Sequence, residues 1–173
     1  RINRFGHSQQ TRLQYSRINP SGRIDYNIPL THPLDDLLQL RARTEENEFG
    51  DLDSQQDEVG IRRERRNGNW VWGYSLRQLK ESWETLGVSR TNRYLLPGAS
   101  LSSRHHIGSP VDPEAGFSQF YTFEATDSGL GSDVDLLRAT GLLRYIYSPF
   151  VNHRFVGRTE LGLADISDDD RAE

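Results

Sequence analysis

Between residues 117 and 164 the chain alternates polar and apolar side chains in three successive runs. A period of two with one apolar face is a strand signal, and it constrains the fold more than any other feature. In the first run Phe117, Gln119, Tyr121, Phe123 and Ala125 share a face opposite Ser118, Phe120, Thr122, Glu124 and Thr126. In the second, Leu137, Ala139, Gly141, Leu143, Tyr145 and Tyr147 oppose Arg138, Thr140, Leu142 and Arg144. In the third, Phe155, Gly157, Thr159, Leu161 and Leu163 oppose Arg154, Val156, Arg158, Glu160 and Gly162. The turn sequences DSGLGSD and SPFVNH separate the runs. Strands of about ten residues exceed the usual five or six and match the length that crosses a bilayer at a tilt.

The same alternation runs back toward the start. Leu13 and Tyr15 oppose Arg12, Gln14 and Ser16, and NPSG at 19–22 is a turn by residue chemistry. Ile24, Tyr26, Ile28 and Leu30 then oppose Arg23, Asp25 and Asn27. After THPLDD, Leu38, Leu40, Ala42 and Thr44 oppose Gln39, Arg41, Arg43 and Glu45. Residues 47–56 read as a polar, acidic loop. DEVGIRRERR is the weakest strand: Val59 and Ile61 mark its apolar face, which Arg63 and Arg65 continue. RRERR reads as a solvated or rim-facing charge run with arginine stems along apolar surface. RNGN at 66–69 is a hairpin turn. Beyond it Trp70, Trp72, Tyr74 and Leu76 oppose Val71, Gly73, Ser75, Arg77 and Glu81. Residues 85–92 read as a loop. Leu95, Pro97, Ala99 and Leu101 then oppose Ser100, Ser102 and Arg104, with a bulge or kink expected at Pro97. Residues 107–116 read as a connection, and the tail at 166–173 is acidic.

About nine strands and no convincing helix follow. Short turns between consecutive strands predict an antiparallel up-and-down meander. At 173 residues there is room for one domain, and the absence of Met suggests that the sequence begins inside a longer protein. With no Cys, disulfides and thiolate metal sites are excluded. The net charge of −4 gives no global attraction to nucleic acid. A mean hydropathy of −0.74 argues against membrane helices. It leaves a membrane barrel open, because every second residue of such a strand faces a polar lumen.

Candidate chemistry is sparse. His105 and His106 with Asp112 suggest a metal site, but adjacent histidines on a strand project to opposite faces. Glu124 and Asp127 fail as an acid–base pair for the same reason. No phosphate-binding glycine loop or nucleophile elbow is present, so no enzyme and no cofactor is expected. What recurs is charge on the polar face: Arg41, Arg43, Arg77, Arg104, Glu124, Arg138, Arg144, Arg158 and Glu160. In a soluble sheet this is a solvated face; in a barrel it is a charged lumen. Trp70, Trp72 and Tyr74 at one strand end resemble a lipid-interface aromatic girdle.

The stretches FGHS, YNIPLTHPLDD, NGNWVWGYSLR, LLPGASLSSR, PEAGF, LGSDVDLLRATG and HRFVGRTELG follow one another over nearly the whole chain. Together they resemble the barrel domain of the bacterial surface antigen superfamily of outer-membrane assembly factors, and within it the TamA-like (translocation and assembly module) branch. The resemblance implies a partial transmembrane β-barrel, about nine strands of a sixteen-stranded one that follows periplasmic repeats. It implies a bacterial outer-membrane location, with the turns at 5–7 and 113–117 on the periplasmic side. It further implies help in inserting or secreting outer-membrane proteins or autotransporters, with those clients, the lipid bilayer and a TamB-like inner-membrane protein as partners. Arg158 and Glu160 match the family's inward Arg/Glu positions ahead of an Arg-Gly-Tyr/Phe loop that this sequence does not contain. PEAG is less basic than the family's form of that turn. The rival readings are a soluble all-β binding module, with the apolar faces in a sandwich core, and the barrel of a related secretion or lipase-fused protein.

Overall fold

The computed structural model describes residues 4–32, 34–49, 52–85, 87–109, 111–150 and 153–167. Nine strands form one antiparallel sheet in chain order: β1 (Ser8–Gln14), β2 (Ser21–Pro29), β3 (Asp36–Phe49), β4 (Leu52–Asn67), β5 (Trp70–Thr85), β6 (Val88–Gly108), β7 (Pro113–Thr126), β8 (Asp135–Phe150) and β9 (His153–Ser167). Each strand pairs only with its sequence neighbours, so β1 and β9 are open edges and the sheet does not close on itself. The one helical element among the described residues is a 3-10 turn at Ser128–Leu130, where the Asp127 side chain accepts the Gly129 N–H.

Three expected loops are largely strand. Residues 47–56 extend the β3–β4 hairpin to the pair Phe49↔Leu52. Residues 85–92 extend β5–β6 to Thr85↔Val88. In the 107–116 connection, Ala115 and Gly116 already pair with Ile107 and His106, and the register slips between Ile107 and Gly108. These segments lack an apolar face, so hydrophobic alternation cannot reveal them. Ladder hydrogen bonds and polar cross-strand pairs such as Ser82–Thr91 (3.0 Å) extend them instead. Pro97 disturbs nothing: Leu76↔Pro97 lies in unbroken register with Ser75↔Gly98. No bulge forms there, because only one side of β6 is paired at that level. β7 pairs with β6 no further than Gly98↔Glu124. Part of the acidic tail (168–173) and parts of the turns at 33, 50–51, 86, 110 and 151–152 lie outside the described residues.

Directly paired residues project to the same side of a sheet. Register therefore carries one face through the molecule: Tyr26↔Leu40↔Ile61↔Leu76↔Pro97 and Trp72↔Leu101↔Tyr121↔Gly141↔Leu161. Leu143 lies on this apolar face and Arg144 on the other, as alternation requires. The apolar face is the bare one. Tyr74 is 59% exposed, Phe123 49% and Leu161 70%. The polar face is the covered one, with Asp25 at 5% and Glu58 at 7%. Leu96 and Val134 are the only buried large apolar residues among those described. Both sit where the 127–134 loop folds back on the free upper part of β6. There Asp133 Oδ2 accepts the Arg93 N–H (2.6 Å) and Ser132 Oγ accepts the Leu95 N–H (2.8 Å). A cavity of about 740 Å³ on the covered face is lined from β3 to β9 by residues including Arg43, Glu58, Arg77, Glu81, Arg138 and Ile166, so the sheet curls toward its polar side.

Candidate functional site

The covered face carries a chain of charges across five strands. Arg77 on β5 donates to Glu58 on β4 (3.1 Å) and reaches over β6 to Glu124 on β7. Arg138 on β8 donates to the other Glu124 oxygen, its Nε at 3.1 Å. Glu58–Arg77–Glu124–Arg138 thus alternates in sign and uses both oxygens of Glu124. Gly98, paired with Glu124, leaves room beside this carboxylate on β6. A Cβ on Gly98 would meet Ser75 Oγ at 2.9 Å, Glu124 Cγ at 3.2 Å and the Phe123 carbonyl at 3.3 Å. Gly60 plays the same part beneath Arg77, whose Cγ lies 3.0 Å from where a Cβ would sit. Gly73 does so beneath Arg62, which donates to Ser100 (3.1 Å).

A second cluster lies on β2 and β3. Asp25 accepts from Arg23 (2.6 Å) and Arg41 (2.8 Å), and Arg41 donates onward to Gln39 (3.1 Å). Near the far hairpin ends Gln56 donates to Glu81 (2.7 Å). A carboxylate that accepts from two guanidiniums has its charge neutralised in place, and fixed charge-assisted bonds of this kind are stronger than neutral ones.

The remaining sequence candidates sit apart from these networks. Register sets Arg104, Ser118, Arg144 and Arg158 in one row across β6 to β9. Glu160 pairs with Arg158 on its own strand (2.7 Å). The candidates therefore divide: Arg77, Glu124 and Arg138 are brought together, while Arg104, Arg144, Arg158 and Glu160 form a separate, more exposed group. Sequence reasoning missed Glu58 and Asp25 as anchors, and Gly60, Gly73 and Gly98 as clearances. Their available signal was parity: each falls on a polar face next to an arginine-bearing strand. His105 and His106 diverge, pairing with Phe117 and Gly116, and Asp112 is held by Arg154.

Trp70, Trp72 and Tyr74 lie on the bare face at the end of β5 next to the 68–69 turn. Phe117, Tyr145, Tyr147 and Phe155 are exposed at the same end of β7, β8 and β9. The Tyr145 and Tyr147 rings stack with centroids 6.4 Å apart. Also on this face, Arg63 holds Asp36 through two hydrogen bonds of 3.0 and 2.7 Å.

Fold and site together define an all-β antiparallel meander with inverted polarity, one face apolar and bare and the other ion-paired and covered. No protein-family model matches the chain.

Proposed function

We propose that this chain is part of a transmembrane β-barrel in the bacterial outer membrane. Its parent would be an assembly and translocation factor of the bacterial surface antigen superfamily, on its TamA-like branch. The inverted polarity carries this reading. A soluble sheet buries its apolar face, whereas here rows of Leu, Ile, Phe, Tyr and Trp stand bare and carboxylates are covered. Hydrocarbon is the solvent that such a face suits. Dimensions agree. The outward run 137–147, at about 3.4 Å per residue, spans roughly 34 Å. At a tilt of about 40° it stands roughly 26 Å tall, close to the apolar band of about 25 Å in outer-membrane barrels. The bare aromatic residues gather at one end, as in an interfacial girdle.

A bilayer cannot satisfy open strand edges. β1 and β9 would therefore pair with further strands, to sixteen in all by the resemblance. The function has no covalent chemistry. The barrel wall and its charged lumen would assist the insertion or secretion of outer-membrane proteins or autotransporters, with a TamB-like inner-membrane partner. The test is extraction of the complete protein. It should stay with the outer membrane through alkaline and urea washes and leave only with detergent. Release by washing as a stable, detergent-free monomer would overturn this reading in favour of a soluble all-β binding module.

A further inference from the structure

We propose that the row Arg104–Arg144–Arg158 takes the carboxylates of an acidic, partly apolar polypeptide segment lying across the covered face. Arg144 and Arg158 stand directly opposite each other in register, an arrangement that destabilises a strand pair unless a counter-charge joins it. Among the described residues the one carboxylate that meets this row is Glu160, which Arg158 already engages at 2.7 Å. Arg104 and Arg144 form no ion pair with a described residue. The remaining arginines of the covered face at β3, β5 and β8, namely Arg41, Arg43, Arg77 and Arg138, each hold a carboxylate. What sets the row apart is that two of its arginines, Arg144 and Arg158, stand directly opposite each other with Arg104 in line and one carboxylate between the three.

Its flanks set the kind of ligand. One step away on the same face lies the row Ser102–Phe120–Leu142–Glu160, and one step the other way lies His106–Gly116–Ile146–Val156. Phe120 and Leu142 on one side and Ile146 and Val156 on the other interleave apolar surface with the guanidiniums. Inorganic phosphate would use the arginines and leave these flanks idle. A polypeptide with alternating acidic and apolar side chains uses both. A segment bearing arginine would be repelled. The proposal rests on the reading above in one respect: an enclosed lumen makes each guanidinium worth more than an exposed surface pair.

The test uses the complete natural protein carrying this chain, folded in dodecyl maltoside micelles, or in buffer if it proves not to need detergent. The need for detergent decides the membrane reading; binding decides this one in either medium. The probe is a short fluorescent peptide alternating Glu with Leu, compared with its Gln-for-Glu counterpart and with inorganic phosphate as competitor. The acidic peptide should bind at least about tenfold more tightly than the Gln form. Arg104→Gln and Arg144→Gln should each weaken it by about tenfold. Arg144→Lys should recover much of the loss, and Arg43→Gln, outside the row, should leave binding unchanged. Equal binding of both peptides, loss of the acidic peptide to millimolar phosphate as expected of a simple anion site, or no binding by the folded protein would each overturn the proposal.

Discussion

Two parts of the same covered face treat charge in opposite ways. Across β4 to β8, Glu58, Arg77, Glu124 and Arg138 alternate in sign and neutralise one another within the chain. Nearer the aromatic end, Arg104, Arg144 and Arg158 align in one row with a single acid for company. Local sequence does not separate the two parts: Arg138 and Arg144 lie on the same strand and the same face. What separates them is the strand opposite. Arg138 faces Glu124, whereas Arg144 faces Ser118 on one side and Arg158 on the other. The first part is built for rigidity, since removing any member strands its neighbours. The second is built to meet something else.

The largest effect should come from breaking the balanced part. Glu124→Leu leaves Arg77 and Arg138 without their shared carboxylate, and removing one partner of a covered ion cluster costs about 3–4 kcal/mol. Denaturant unfolding of the complete protein in vesicles measures it. A loss below about 1 kcal/mol would mean that the network is not a structural unit. Next comes a charge moved to the opposite face. Leu143→Arg, one residue from Arg144 but on the bare side, should cost roughly 2–4 kcal/mol in the same assay if that side meets lipid near the midplane. A neutral Leu143→Arg would make the facing assignment or the membrane reading wrong.

Clearance beneath the network is the third handle. Gly98→Val should cost about 1–3 kcal/mol, because its first carbon already crowds Ser75, Glu124 and the Phe123 carbonyl. Gly162→Ala, with nothing within 4 Å of the added carbon, should stay within about 0.5 kcal/mol of wild type. Equal costs at the two sites would show that Gly98 serves strand flexibility rather than clearance for Ser75 and Glu124. The smallest effect belongs to the unbalanced row. Arg144→Leu should leave stability within about 0.5 kcal/mol of wild type, or raise it slightly by relieving Arg158. A loss above about 2 kcal/mol would reveal a partner inside the folded protein and remove the distinction between the two parts.

Much of this was legible without coordinates. Parity alone assigned Glu124, Arg138, Arg144 and Arg158 to one face and Trp70, Trp72 and Tyr74 to the other. Strand ends were legible only where an apolar face marked them. Asn47↔Ser54 and Glu84↔Ser89 are paired, yet nothing in their polar side chains announces it. The candidate charges could be enumerated but not grouped, because a partner such as Glu58 lies 19 residues from Arg77, and Glu124 a further 47 beyond it.

What the amino-acid sequence determined by itself is the set of nine strands and the side to which each residue points. A period of two is a local property of extended backbone and survives any register. What only the tertiary structure decided is register, curl and therefore partnership. The slide of β7 along β6 brings Glu124 opposite Gly98, and so within reach of Arg77, while Ser118 falls between Arg104 and Arg144. A shift of two residues would keep every side chain on its own face and exchange the ion pairs between strands, such as Arg77–Glu58 and Arg138–Glu124. Charge balance between strands is therefore a property of the assembled ladder, while pairs such as Arg23–Asp25 and Arg158–Glu160 belong to one strand.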